Sequence, residues 1–164
     1  MSTNYRADIC PVCGMKADPE LDSVEYYKIY FHFCSTQCRE NFLAHPRLYQ
    51  REAQKGRKEI IKQRTMHLAE PIGKAGAELL IPYLMKLMGV KNVIIEGDTV
   101  SITYDLLQVT EVQIEKALAE AGAELGGSWL AHFRRGWIHD SEENELDNLA
   151  SPPARSYHHT PSKL

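Results

Sequence analysis

No run of apolar residues in this chain approaches the ~18 needed to cross a bilayer as a helix, so a membrane-spanning segment is not expected. The motifs of several enzyme classes are also missing. There is no glycine-rich nucleotide fingerprint, no serine elbow and no ExxH pair for di-metal chemistry, and the chain reads as a non-enzyme. Charge of one sign is scarce too. A formal net charge of −3 over 164 residues argues against a dedicated nucleic-acid binder. The opening residues, Met1-Ser-Thr-Asn-Tyr-Arg-Ala-Asp8, carry no apolar core, so no secretory signal is expected. Cysteine is the most telling scarcity: the chain has four, and none follows Cys38. Apolar residues are not scarce. At 43% hydrophobic and 25% charged, the composition is that of a globular protein with room for one or two small domains.

The few cysteines are arranged as two close pairs, Cys10-Pro-Val-Cys13 and Cys34-Ser-Thr-Gln-Cys38. Tetrahedral zinc takes four soft or borderline ligands, and a CxxC and a CxxxC turn can each present two thiolates to one ion. The spacing points to a single four-thiolate site formed by Cys10, Cys13, Cys34 and Cys38. The competing reading is four buried or disulfide-paired cysteines. Gly14 after Cys13 allows a tight turn that aims backbone amides at a thiolate. Ser35 reads as a helix N-cap, which places Cys38 in a first turn where the helix dipole favours the thiolate. Residues 10–49 are too few to hold together by apolar burial alone, and zinc at roughly 10–16 kcal/mol makes up the deficit. Metal-type cysteine spacing without a signal segment predicts a reducing compartment, and the cytoplasm is the expected location.

Between the cysteine pairs, Ser23–Lys28 and Ile29–Phe33 read as a strand hairpin. The helix after Cys38 is expected to pause at Pro46. A basic stretch follows (Arg47, Arg51, Lys55, Arg57, Lys58, Lys62, Arg64), read as a solvated helix face with phosphate contact as the alternative. From residue 60 the pattern becomes strand Gln63–Glu70, helix Glu78–Met88, strand Lys91–Glu96, strand Thr99–Tyr104, helix Thr110–Ala121 and a short last strand Ala123–Leu125. On the strand Gln63–Glu70, Met66 and Leu68 face one way and Thr65 and His67 the other. This βαββαβ order is that of a ferredoxin-like domain. Pro82 is expected to kink the first of its helices or delay its start to near Ile81, lengthening the loop Pro71–Leu80.

Two resemblances attach to these segments. Cys10-Pro-Val-Cys-Gly-Met15, Tyr30-Phe-His-Phe-Cys-Ser-Thr-Gln-Cys38 and Phe42-Leu-Ala-His-Pro46 with Tyr49 resemble the YHS/TRASH metal-binding domain over about residues 8–50. That resemblance implies a small treble-clef-like fold, a place among heavy-metal sensors and transporters, and Cys13, Cys34 and Cys38 as ligands. Cys10 adds a fourth thiol, which favours a closed zinc site. Copper(I) or an iron–sulfur cluster are the alternative occupants. The second segment, with Leu84-Met-Lys-Leu87-Met-Gly89-Val90, Val93-Ile-Ile95, Val100-Ser-Ile-Thr-Tyr104-Asp105 and Ile114-Glu-Lys-Ala117-Leu118, looks like the heavy-metal-associated (HMA) domain over about residues 60–126. The family's CxxC would fall on Gly73-Lys-Ala-Gly76, so both thiolates are absent and no copper(I) ligand carries over. Without them the loop reads as retained for fold or partner contact, with an anion site as the alternative.

The organisation expected is therefore α+β: a zinc module over 1–54, a linker over 55–59, an HMA-like domain over 60–126 and an extension over 127–164. In the extension a helix capped by Ser128 carries Trp129, Leu130, Phe133 and Trp137. These side chains are expected to pack on the chain's own modules or on a partner protein, with Arg134 and Arg135 at the rim. The acidic run Asp140, Glu142, Glu143, Glu145 and Asp147 follows, then a tail that reads as disordered. His132, His139, His158 and His159 with these acids could form a second, weaker metal site. Two functions are carried forward. One is a metal-binding protein of copper or related heavy-metal homeostasis. The other is a zinc-stapled adaptor whose HMA-like domain and C-terminal helix dock a partner.

Overall fold

A computed structural model describes residues 8–21, 23–55, 58–127 and 129–151 of the chain, without the side chains of 51–55, 129, 130, 132 and 133. After an isolated antiparallel bridge, Ile9↔Lys16, comes a two-stranded hairpin, β1 (Val24–Tyr26) and β2 (Ile29–Phe31). Its turn residues Tyr27 and Lys28 have φ of 51° and 62°, the left-handed pair that a two-residue hairpin turn requires. Two helices follow, α1 (Thr36–Ala44) and α2 (Pro46–Lys55). Ser35 caps α1 as expected, its side chain accepting from the Cys38 amide. Pro46 begins α2, where its missing N–H costs nothing. Phe31, Phe33 and Phe42 are fully buried, with ring centroids 4.7 Å (Phe31–Phe42) and 5.3 Å (Phe33–Phe42) apart, and form the apolar floor of this region.

The second region comprises β3 (Ile61–His67), α3 (Lys74–Met85), β4 (Val90–Glu96), β5 (Thr99–Asp105) and α4 (Glu111–Glu120). The strands form one antiparallel sheet in the order β3-β5-β4. The central strand buries Val100, Ile102 and Tyr104, against which Leu84, Ile114 and Leu118 pack. Met66 and Leu68 are buried and Thr65 and His67 exposed, as the alternation of that segment predicts. Thr110 caps α4 in a reciprocal capping box with Gln113.

Three expectations are corrected here. Pro82 does not delay α3, which starts at Lys74 and carries Pro82 inside it. The carbonyl that Pro82 cannot serve belongs to Glu78, and both residues are exposed, so water replaces the missing donor. The last strand shrinks to a single bridge, Leu68↔Leu125, flanked by Ala69 N–H donating to Glu124 O and Gly126 N–H to His67 O. A Cβ on Gly126 would lie 2.8 Å from Ala69 Cα, so the chain can approach there only as glycine. Finally, the acidic run does not follow the C-terminal helix but lies within it. Helix α5 (Trp129–Ala150) continues for 22 residues through Asp140–Asp147.

Helix α5 lies over the face that Lys62 and Arg64 present from β3. Lys62 Nζ meets Glu145 at 2.6 Å, and Arg64 sits 3.7 Å from Glu142 and 3.4 Å from Glu111. These two basic residues are therefore strand residues committed to the acidic helix, not part of a solvated helix face. Glu142 is 2% exposed. It accepts a short hydrogen bond from the Tyr104 hydroxyl and another, at 2.9 Å, from the Glu111 amide. Burial, and then the Glu142 carboxylate beside it, push the Tyr104 hydroxyl well above its ordinary range. The Glu111 carboxyl is pushed up by burial first and by Glu142 next, with Arg64 opposing. His45, buried at the end of α1, is bracketed by Glu143 at 3.2 Å and Asp147 at 3.4 Å.

The two regions are hydrogen-bonded to each other. Gln37 of α1 donates to the carbonyls of Met88 and Gln108 and accepts from the Met88 amide. Asn41 donates to the Gln108 carbonyl and accepts from the Gln113 side chain, while the Tyr49 hydroxyl donates to Leu107 O at 2.6 Å. The contacted segment Leu106–Val109 is buried.

Candidate metal centre

The four cysteines converge. One sulfur from each lies within 4.8 Å of all the others. Cys13 and Cys34 Sγ are 3.0 Å apart and Cys34 and Cys38 Sγ 3.6 Å apart. A tetrahedral ion with bonds of ~2.3 Å to sulfur needs edges of about 3.8 Å, so small side-chain rotations suffice. The cysteines are free thiols, and Cys13 and Cys34 at 3.0 Å are well beyond the ~2.05 Å of a disulfide. Three of the four are buried and Cys34 is half-buried, so a bound ion would be largely closed off from water.

Each ligand is placed by a local device. The Cys10 carbonyl accepts from the Gly14 amide at 2.8 Å, and Gly14 takes φ of 71° to close that turn. The expected amide-to-sulfur contacts come from its neighbours. The backbone of Cys13 and Cys34 lowers the Cys10 thiol, and that of Met15 lowers the Cys13 thiol, the smallest of the influences on each. Cys34 follows the buried Phe33 at the end of the hairpin, and Cys38 sits in the first turn of α1, its amide 3.3 Å from Ser35 Oγ. Hydrogen bonds from Cys13 and then Cys38 pull the Cys10 thiol down to about 2. The same contacts push Cys13 up to about 12 and Cys38 up as well, with Cys10 the main cause for each. Four crowded sulfurs favour one thiolate shared by its neighbours' protons. A cation is what allows all four to ionise together. The donor chemistry, the closed shell and the amide support therefore fit a thiophilic ion.

The other sequence candidates scatter. Gly73-Lys-Ala-Gly76 forms the start of α3, with Gly73 as N-cap. The Lys74 side chain is 91% exposed and lies 4.0 Å from Glu78. A Cβ on Gly76 would meet Ile72 Cγ2 at 2.4 Å, so a side chain there would displace Ile72. A groove of about 660 Å³ runs beside it, lined by Ile72, Leu79, Tyr83 and Ala121 among others. His139 meets Glu111 and Glu115. The His132 side chain, His158 and His159 lie outside the described residues, as do the side chains of Trp129 and Phe133. Trp137 is 70% exposed, so the expected packing of this residue on the chain's own modules is not found. Sequence reading paired His139 with the acids of its own helix and missed Glu111 and Glu115, although these are one helical turn apart, which was a readable signal.

The fold and the centre define a mixed α/β protein with a four-cysteine cluster compatible with metal binding. Among the described residues no helix is long and apolar enough to cross a membrane. No protein-family model, no curated protein and no solved structure matches the chain.

Proposed function

We propose that the chain is a non-enzymatic metal-binding protein of heavy-metal homeostasis, copper or a related metal, with zinc held by Cys10, Cys13, Cys34 and Cys38. The observation that carries this reading is the convergence of four sulfurs from two separate segments within 4.8 Å. The resemblance of residues 8–50 to YHS/TRASH domains and of residues 60–126 to HMA domains supplies the homeostasis context. Support for a ferredoxin-like second domain comes from the β3-β5-β4 order, with Leu125 bridging to Leu68 on the outer side of β3. The HMA-like part takes no metal at its usual loop. It has no thiols there, and Ile72 occupies the space above Gly76. The cysteine centre is the thiophilic site, and its closure favours a structural or sensed ion over a rapidly transferred one.

Elemental analysis of freshly purified protein, followed by copper(I) titration, tests this. One zinc per chain is expected, with copper(I) displacing it or adding to it while the fold persists. Retained zinc with no uptake of copper(I) removes the homeostasis role and leaves a structural site. Brown protein containing iron and sulfide reassigns the occupant. Cys34→Ser should release the metal, and full retention of the ion would dismiss the four-thiolate centre.

The exposure of Trp137 favours a second reading, in which α5 docks a partner protein through its outward face. Affinity capture with wild type and Trp137→Ala discriminates. Equal recovery of every specific partner would remove this face from the role.

A further inference from the structure

Where α4 meets α5 the molecule gathers metal-ligating groups that the cysteine centre does not use. Glu111 and Glu115 stand one turn apart on α4, and His139 faces them from α5. One ligand atom from each lies within 4.8 Å of the other two. Glu111 Oε2, Glu115 Oε1 and His139 Nε2 are all buried, and none has a hydrogen-bond partner among the described residues. Glu111 as a whole is 2% exposed. Their contacts are ion pairs of 3.3–3.9 Å with Arg64, with Arg135 and with one another. Buried polar atoms nearly always make true hydrogen bonds, so three that converge without one call for a ligand that engages them together.

The neighbouring charges leave room for a cation. Arg64 Nε lies 3.4 Å from Glu111 Oε2 and Arg135 Nε 3.9 Å from Glu115 Oε1. Glu142, the third carboxylate nearby, is already engaged by Tyr104 and by the Glu111 amide. Glu111, Glu115 and Glu142 outnumber the guanidiniums of Arg64 and Arg135 around His139, so the pocket can take a cation. Carboxylate oxygens hold two lone pairs, so a guanidinium and a metal can share one.

We infer that Glu111, Glu115 and His139 form a second metal site, for a divalent first-row transition ion. Glu115 Oε1 and His139 Nε2 are 3.3 Å apart. Tetrahedral bonds of ~2.0–2.2 Å to nitrogen and oxygen give edges of about 3.3–3.6 Å, so this pair is already at ligand spacing. One imidazole nitrogen with two carboxylate oxygens selects against copper(I), which wants sulfur, and against calcium, which wants oxygen throughout. The ion would cross-brace α4 and α5. The chain would then carry two centres of opposite chemical preference, one of thiolates and one of nitrogen and oxygen.

Cobalt(II) is the probe. The full chain, stripped of metal under reducing conditions, is titrated and followed by absorption, and bound metal is counted after gel filtration. Thiolate-bound cobalt gives intense sulfur-to-metal charge transfer, and cobalt held by nitrogen and oxygen does not. Wild type is expected to bind one ion with that band and a second without it. Glu115→Gln and His139→Ala should each lose the second ion and keep the band, with circular dichroism confirming the fold. Uptake of the thiolate-bound ion alone, or a second ion that survives both substitutions, overturns the assignment. Loss of the charge-transfer band in wild type would instead count against the cysteine centre, so the two readings fail separately.

Discussion

Glu142 and Glu143 are neighbours in one acidic run, yet they occupy opposite environments. Glu142 is buried against Tyr104, Arg64 and the Glu111 amide. The Glu143 side chain is 60% exposed and meets His45 at 3.2 Å. Removing one partner of a buried, hydrogen-bonded ion pair leaves the others desolvated and unpaired. Glu142→Ala should therefore destabilise the fold by about 3 kcal/mol, near the lower end for such pairs because Arg64 retains some solvent. Glu143→Ala should cost under ~1 kcal/mol, as exposed ion pairs do. Urea unfolding of the two variants checks this, and equal losses would mean that Glu142 does not anchor α5. The same logic explains Gly89. Its φ is +94°, and a Cβ there would meet Gln108 Cβ at 2.5 Å. Gly89→Ala should lower stability by about 1–3 kcal/mol through backbone strain and that clash, measurable as a shift in the denaturation midpoint. A neutral result would show that the β4 entry can relax.

Elements whose amphipathic pattern matched their packing were readable from sequence, and α5, whose presence was expected, shows why its length and packing were not. The strand β5 and the helix α4 bury residues with their own period and β3 alternates in exposure, while β4 breaks the alternation at the irregularity between Val90 and Asn92. In α5 the buried and half-buried positions Ala131, Arg135, Ile138, His139, Glu142, Glu145, Leu146 and Ala150 also recur with helical spacing. Half of these described positions are charged or titratable, so among them no apolar stripe marks the face. What makes the positions buriable is Lys62, Arg64 and Tyr104, which lie on strands far away in sequence. The cysteine centre was legible for the opposite reason. Its ligands come in local pairs, and a cap and a turn glycine beside them carry their own signals. In the site formed by Glu111, Glu115 and His139, the one-turn spacing of the glutamates is local, but their meeting with His139 depends on how α4 and α5 pack, which no local pattern encodes. Helix starts are a further local signal that the structure makes testable. Thr110 accepts from the Gln113 amide while the Gln113 side chain accepts from the Thr110 amide. Thr110→Ala should cost about 1 kcal/mol, and Thr110→Ser should restore most of it. If both variants unfold at the wild-type midpoint, the capping box contributes nothing.

Across the whole molecule, the helix that carries Cys38 is also the helix that grips the second region. Gln37 and Asn41 flank Cys38 on α1 and together hold the carbonyls of Met88 and Gln108. His45 at the end of the same helix meets α5 through Glu143 and Asp147. Metal binding at the cysteines would therefore order a surface on which the sheet's connecting segment Leu106–Val109 is buried. Without the ion, the four sulfurs can share little negative charge and the two cysteine segments lose their common anchor. Residues Leu106, Leu107 and Val109 would then lose part of their cover, at roughly 25 cal/mol for each Å² of apolar surface returned to water. Stripping the metal with a chelator should accordingly lower the melting temperature of the entire chain. Calorimetry should show one transition moving down together with tyrosine and tryptophan signals from both regions. Independent regions would instead give a lost low-temperature transition and an unchanged one from the sheet. That second outcome would mean the contacts of Gln37, Asn41 and Tyr49 do not couple the cysteine centre to the rest of the fold.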